Sequence, residues 1–312
     1  MSRKRDDWRR RLRGRLRLGF ARLMLRLLGA LSLRGAQRLG RALGRLFWLV
    51  NGKTRHTVEE NLARCLPELD EAERARLARR SLIETGMGLI ETAPAWHWDR
   101  SQVEAAVHDM PGFEAIEQAL AAGRGAILLA PHIGNWELGG LMTAARAPTT
   151  IMYRPPREPA MEALLVEVRS RFGADMAPAN LGGVRKALRA LKRGELVAIL
   201  PDQAPRHGEG VMAPFFDQPA LTMTLIRTLV RRTGAPAFTG WAERLPDARG
   251  FRIHYEPVAE PIDHEDPVEA AAALNREVER VVRENPAQYQ WTYRRFRRQA
   301  SGRERREQRR QD

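Results

Sequence analysis

The 312-residue sequence predicts an α/β fold, a mostly parallel central sheet flanked by helices, with an amino-terminal amphipathic region that associates with membranes. Three observations lead there. Short apolar runs without polar alternation, "AILLAPH" (126–132), "TTIMYRPP" (149–156) and "LVAILPDQ" (196–203), are what strands covered on both faces look like. Helical patterns closed by glycine, "GFEAIEQALAAGRG" and "VRKALRALKRGE", precede the first and third of these runs. Finally, the formal charge of +15 sits at the two ends of the chain, and the centre is mildly acidic.

Residues 1–50 hold fifteen basic side chains against Asp6 and Asp7, and residues 294–312 hold nine arginines against three acids. Such ends seek an anionic surface. In residues 15–50, Arg22, Arg26, Arg34, Arg38, Arg41 and Arg45 recur at mostly helical spacing among Leu, Met, Phe and Trp, with a break expected near residues 29–35. Arginine interrupts every window of the roughly 20 apolar residues that a spanning helix needs. The stretch therefore reads as lying on a membrane, each basic residue near anionic lipid contributing about 1 kcal/mol. The competing reading is a helix whose apolar stripe packs on its own protein. Nucleic acid is disfavoured, since the basic ends lack base-stacking aromatics and recognition-helix spacing. Residues 300–312 read as a basic disordered tail.

The next elements follow in order. Residues 51–110 read as helices, "TRHTVEENLARCLPEL" and then "DEAERARLARRSLIETGMGLIETAPAWHW", with Pro67 and Asp70 marking the turn. Residues 111–299 form the α/β unit. Its late runs "APAFTGWAERL" and "GFRIHYEPV" suggest an antiparallel pair, and "PVEAAAALNREVERVVREN" a last amphipathic helix.

Three strands finish alike, at Pro131 then His132, at Arg154 then Pro155 and Pro156, and at Pro201 then Asp202. Proline stops the ladder and leaves the neighbouring side chain in a loop. Carboxyl ends of parallel strands share one edge, where α/β proteins bind ligands, so His132, Arg154 and Asp202 are expected to face one crevice. After His132, Gly134 permits a sharp turn, Asn135 is a good N-cap, and Glu137 falls in the first turn of a helix. Glu137 is expected to reach back to the imidazole and fix its tautomer, making a general base. The plain alternative is a structural histidine in a loop beside an ordinary first-turn acid.

A nucleophile of the protein's own is hard to find. There is no G-x-S-x-G elbow, and Cys65, the only cysteine, sits in a helical stretch without a neighbouring histidine. "GKT" at 52–54 has Phe47 where a phosphate loop needs its first glycine. The base is thus suited to a hydroxyl on a bound substrate.

"HIGNWE", His132 to Glu137, resembles the H-x-x-x-x-D/E signature of the glycerolipid and lipid A acyltransferase superfamily. "NLARCLPEL" (61–69), "IETAPAWHW" (90–98), "MYRPP" (152–156), "LPDQAPRHGEGVMAPFF" (200–216) and "PAQYQWTYRRFR" (286–297) are similar, in order, to its lauroyl/myristoyl lipid A branch. The resemblance covers nearly the whole chain. It implies a monomeric enzyme at the cytoplasmic face of the bacterial inner membrane. That enzyme would move an acyl chain from acyl carrier protein or coenzyme A to a lipid hydroxyl, without metal or redox cofactor and without an acyl-enzyme. His132 matches the family's base and Glu137 its acidic partner; Asn135, Arg154, Asp202 and Gln203 fall on the substrate-binding side, Arg154 with a phosphate. Backbone amides near residues 134–136, and Arg154, are the expected donors to the reaction's oxyanion. Residues around "VMAPFF" are either an acyl groove or plain core. The arginine-interrupted amino terminus departs from the family's more apolar anchor, which favours peripheral attachment. An amino lipid, a mannosylated lipid or an aryl polyene lipid as acceptor, and a degenerate membrane-binding protein, are the alternatives.

Overall fold

The computed structural model describes residues 2–156, 158–206 and 208–296. The expected basic tail, 300–312, lies outside the described residues. The chain begins with four helices, α1 (Ser2–Gly29), α2 (Leu33–Val50), α3 (Gly52–Cys65) and α4 (Glu71–His97). The break between α1 and α2 falls at residues 30–32, where the Ser32 side chain accepts from Gly35 N–H and caps α2. Asp70 starts α4 with a reciprocal capping box to Glu73.

The α/β unit then runs α5 (Arg100–Ala105), β1 (Val107–Asp109), α6 (Phe113–Ala121), β2 (Ala126–Leu129), α7 (Trp136–Arg146), β3 (Thr149–Tyr153), α8 (Pro159–Arg169) and β4 (Asp175–Pro178). It continues through α9 (Leu181–Lys192), β5 (Leu196–Ile199), β6 (Gly210–Phe215), β7 (Gln218–Met223), α10 (Leu225–Thr233), β8 (Ala237–Arg244), β9 (Phe251–Pro257) and α11 (Pro267–Glu284). Seven strands make one sheet in the order β1-β9-β8-β2-β5-β3-β4, and β6 and β7 pair as a separate hairpin. Every neighbouring pair in the large sheet is parallel except β8 with β9.

Side chains of the central strands alternate between two buried layers, which is why the strands read as unbroken apolar runs. Leu128 and Ala198 pack with Phe113, Ile116 and Leu141 on one face. Ile127, Leu129, Val197 and Ile199 pack with Ala187, Leu191, Leu229 and Leu274 on the other. A third core lies beyond the sheet's end. There Leu62 of α3 and Leu82 of α4 meet Ile133, Phe215, Phe216, Tyr289 and Trp291. Phe215 and Phe216 are therefore plain core, and Cys65 lies beside them with its thiol pushed up by burial.

One tie holds the helical region together and another fixes it to the sheet. The α2–α4 contact is made through glycine: a Cβ at Gly40 or Gly44 would overlap the backbone of α4 at residues 82–87. Arg244, at the end of β8, is buried and paired with Glu91 and Glu84 of α4. Burial alone would lower its pKa, but the two carboxylates outweigh that and keep it protonated. Among the described residues no helix is long and apolar enough to cross a membrane.

β1, β4 and the β6–β7 hairpin were not expected, and β1 falls inside the stretch 51–110 that reads as helical. β4 has four residues ending in proline, too few to show a period. In the hairpin Pro214 faces Pro219, and its turn is made by Phe216 and Asp217 at positive φ rather than by glycine, so the usual sequence signals are absent.

Candidate active site

The register of two neighbouring strands builds the site. β2 and β5 are parallel, with Leu129 opposite Ile199. Counting three residues on from each reaches His132 and Asp202, which therefore emerge side by side. Oδ1 of Asp202 lies 2.8 Å from His132 Nδ1, and Oδ2 accepts the His132 main-chain N–H at 3.1 Å. The carboxylate is nearly sealed, with 2% of its side chain exposed, and the imidazole retains 12%. Burial pushes the Asp202 carboxyl up, but the facing ring and the N–H groups outweigh it, and the group sits below the usual carboxylate range. With Nδ1–H donating to Asp202, the ring's lone pair is on Nε2.

The local fold after His132 is as expected in outline. Gly134 has φ of +61° and a Cβ there would overlap the Ala242 carbonyl oxygen, so the turn requires glycine. Asn135 is buried and its side chain caps α7, accepting from Leu138 N–H at 3.0 Å, which makes it a structural cap rather than a lining residue. Trp136 packs edge-on against the His132 ring, with centroids 5.0 Å apart.

Glu137 corrects the expected geometry. It makes no hydrogen bond to the imidazole. Its Oε2 accepts from Arg169 Nε at 2.9 Å and from the Trp96 indole N–H at 3.0 Å, and its Oε1 accepts from Arg169 Nη2. Burial raises this carboxyl, yet the guanidinium and the indole bring it below its ordinary value. The physical reason is direction: from the first turn of α7 the side chain is drawn to the end of α8, while Asp202 already occupies Nδ1. Neither Arg169 nor Trp96 was anticipated. Arg169 resembles any other helical arginine in sequence; Trp96 lay within the "IETAPAWHW" segment without an assigned role.

A cavity of about 560 Å³ opens beside the ring. Its wall carries His132, Gln203 and three guanidinium groups, Arg154, Arg169 and Arg206, facing apolar Leu165, Leu181, Val184 and Met223. Arg154 is exposed, as expected from its place beyond β3. A narrower apolar slot of about 50 Å³ runs between α7 and the sheet along Gly139, Gly140, Ile151 and Gly240, and shares Arg169 and Leu200 with the larger cavity. Among the described residues no group of His, Cys, Asp and Glu is large enough to hold a metal ion.

The carboxyl-terminal strap, residues 286–296, closes the site from below. Ile133 bridges Tyr289, and Gln290 N–H donates to the His132 carbonyl at 3.1 Å. Gly134 N–H donates to Gln288 O and Asn135 N–H to Ala242 O, so two of the backbone amides expected to serve an oxyanion are already engaged.

The proteins this chain is similar to are acyltransferases, and that is its class. The model of the bacterial lipid A biosynthesis acyltransferases matches residues 8–298, and the chain belongs to that family. It is 31% identical over 268 residues to the lipid A biosynthesis lauroyltransferase of Escherichia coli K12, covering 85% of this chain and 86% of that one. With the palmitoleoyltransferase of the same organism it shares 32% over 240 residues, 76% of each chain. With the myristoyltransferase it shares 27% over 264 residues, 81% of this chain and 77% of the relative.

Proposed function

We propose that the protein transfers a fatty acyl chain from acyl carrier protein, or from coenzyme A, to a hydroxyl of a lipid A precursor, with His132 as the general base. The observation that carries this reading is the imidazole fixed at Nδ1 by Asp202, beside a cavity that joins guanidinium groups to apolar walls. His132 Nε2 takes the acceptor's hydroxyl proton as that oxygen attacks the thioester carbonyl. Asp202 keeps the remaining proton on Nδ1 and stabilises the imidazolium. When the carbon–sulfur bond breaks, the sulfur leaves with the electron pair and takes the proton from Nε2. A positioned base of this kind contributes about 10²- to 10⁴-fold. Arg154 and Arg206 suit an acceptor phosphate, since guanidinium groups pair with phosphate oxygens in bidentate fashion. Glu137 acts through Arg169, holding it in the cavity wall. The apolar slot beneath Gly139 and Gly140 suits the start of the acyl chain.

Attachment to the membrane is proposed as peripheral. Helix α2 presents three faces. Ala36, Gly40 and Gly44 are buried toward the protein; Leu39, Leu46, Leu49 and Val50 are exposed; and Arg34, Arg38, Arg41 and Arg45 lie beside them. Phe20, Leu23 and Leu27 of α1 are exposed at helical spacing too. Packing on the protein and lying on lipid are thus compatible in one helix, because different faces do each. An apolar face flanked by arginines is what an interfacial helix uses.

The test incubates purified protein with acyl carrier protein or coenzyme A thioesters and with a panel of acceptors: a lipid A precursor, an amino lipid and a mannosylated lipid. Mass spectrometry is expected to find the lipid A precursor one acyl group heavier and no acylated protein. Product on another acceptor alone, or a covalent acyl-protein, would overturn the proposal.

A further inference from the structure

We infer that the carboxamide of Gln203 is a catalytic group, supplying the N–H that receives the negative charge on the thioester oxygen, and that Gln290 is the residue that positions it. This rests on the acyl-transfer reading of the same site. Gln203 Nε2 lies 3.2 Å from His132 Nε2 and donates to Gln290 Oε1 at 3.0 Å. Asp202 decides which way the amide faces. Because the carboxylate demands the proton on Nδ1, Nε2 offers a lone pair, and only the NH₂ end of Gln203 can meet it favourably.

An NH₂ group has two hydrogens, and the resting site uses one for each partner. Gln290 holds the first. The second rests on the His132 lone pair, the place the acceptor's hydroxyl must occupy to be deprotonated. When the hydroxyl takes that place, the second N–H is released beside the base, free to turn to the oxygen of the carbonyl under attack. The reaction then needs a donor there: as the carbon–oxygen bond forms, the carbonyl π pair moves onto its oxygen, and the hydroxyl proton moves to Nε2. Pre-placed donors aimed at such an oxygen are among the largest contributions to acyl-transfer rates. The backbone amides of Gly134 and Asn135 cannot serve without breaking bonds to Gln288 and Ala242.

Gln290 is well placed to anchor this device. Its main-chain N–H already holds the His132 carbonyl, and three residues on, the Tyr293 hydroxyl accepts the Ala204 N–H next to Gln203. One segment therefore fixes both the base and the donor.

Steady-state kinetics of Gln203→Met, Gln290→Met, Gln290→Glu and the double Met variant test the assignment. Gln203→Met is expected to lower kcat by about 10²- to 10³-fold with KM for donor and acceptor nearly unchanged. Gln290→Met is expected to lose about 10- to 100-fold in kcat, and Gln290→Glu, which keeps an acceptor oxygen, to regain most of it. The double variant should be no slower than Gln203→Met, since Gln290 acts through Gln203. A wild-type kcat in Gln203→Met, a rise in KM in place of the fall in kcat, or multiplied losses in the double variant would overturn the inference while leaving acyl transfer standing. Absence of product from the wild type with every donor and acceptor would overturn both. Should Gln290→Met fail to fold, Gln203→Met and Gln290→Glu decide the matter.

Discussion

Replacing Asp202 with Asn changes one oxygen to an NH₂ group, and the structure says where that group must go. In the wild type both oxygens accept, one from the ring at Nδ1 and one from the main-chain N–H of His132. In the variant one of these sites becomes a donor. The main-chain N–H cannot give up its hydrogen, whereas the imidazole can move its proton to the other nitrogen. The NH₂ group therefore turns to the ring, Nδ1 becomes the acceptor, and the proton settles on Nε2, where the base is needed. In Ser-His-Asp enzymes the same change costs about 10⁴ in kcat through the same tautomer switch, and a loss of about 10³- to 10⁴-fold is expected here. Glu137→Gln, which leaves the tautomer alone and loosens Arg169, is expected to fall by about tenfold, within the range for one misplaced positioning group. Initial rates with a labelled acyl donor and saturating acceptor measure both. If Asp202→Asn keeps a tenth of the activity while Glu137→Gln loses a thousandfold, the imidazole's working partner is Glu137 and the reasoning fails.

Other outcomes follow from the same geometry. Asp202 has a folded pKa below its unfolded value of about 3.9, so its contribution to stability is full above that pH and is lost as pH falls through the folded value; chemical denaturation at stepped pH should find the gap between wild type and Asp202→Asn closing in that acid window and not between pH 6 and 8. Gly134→Ala forces a side chain into a positive-φ turn against Ala242, so activity should be lost with about 1–3 kcal/mol or more of stability, read by denaturant melts. Arg244→Met leaves the buried Glu91 and the half-buried Glu84 without their cation and should cost about 3–5 kcal/mol; a change under 1 kcal/mol would mean that the pair is not the tie we describe. Exchanging Arg22, Arg26, Arg38 and Arg45 for Gln should weaken sedimentation with anionic vesicles most at low salt, and unaltered binding would refute the interfacial role of these helices.

Much of this architecture was legible because parallel strands announce themselves by what covers them. The runs at 126–129 and 196–199 are apolar at every position because alternate side chains enter different cores. Their matching ends, proline followed by a polar residue, placed His132 and Asp202 at one edge. What the sequence could not supply was strand order. β5 inserts between β2 and β3, and only that insertion makes Asp202 the ring's neighbour. Five-residue proximity in the chain drew attention to Glu137, but the first turn of α7 sends Trp136 to the ring and Glu137 to Arg169 at the end of α8. Arg169 itself gave no signal, being one arginine among many until burial and a partner distinguish it. Asn135 was legible as a cap and acts as one. Gln290 lies near the end of the chain, and nothing short of the folded strap reveals that it touches Gln203.

The most direct test of the account is the rate of acyl transfer by His132→Ala, measured beside the binding of donor and acceptor to the same variant. Loss of transfer by at least about 10²-fold with both substrates still bound is the predicted result. Transfer at the wild-type rate would contradict it.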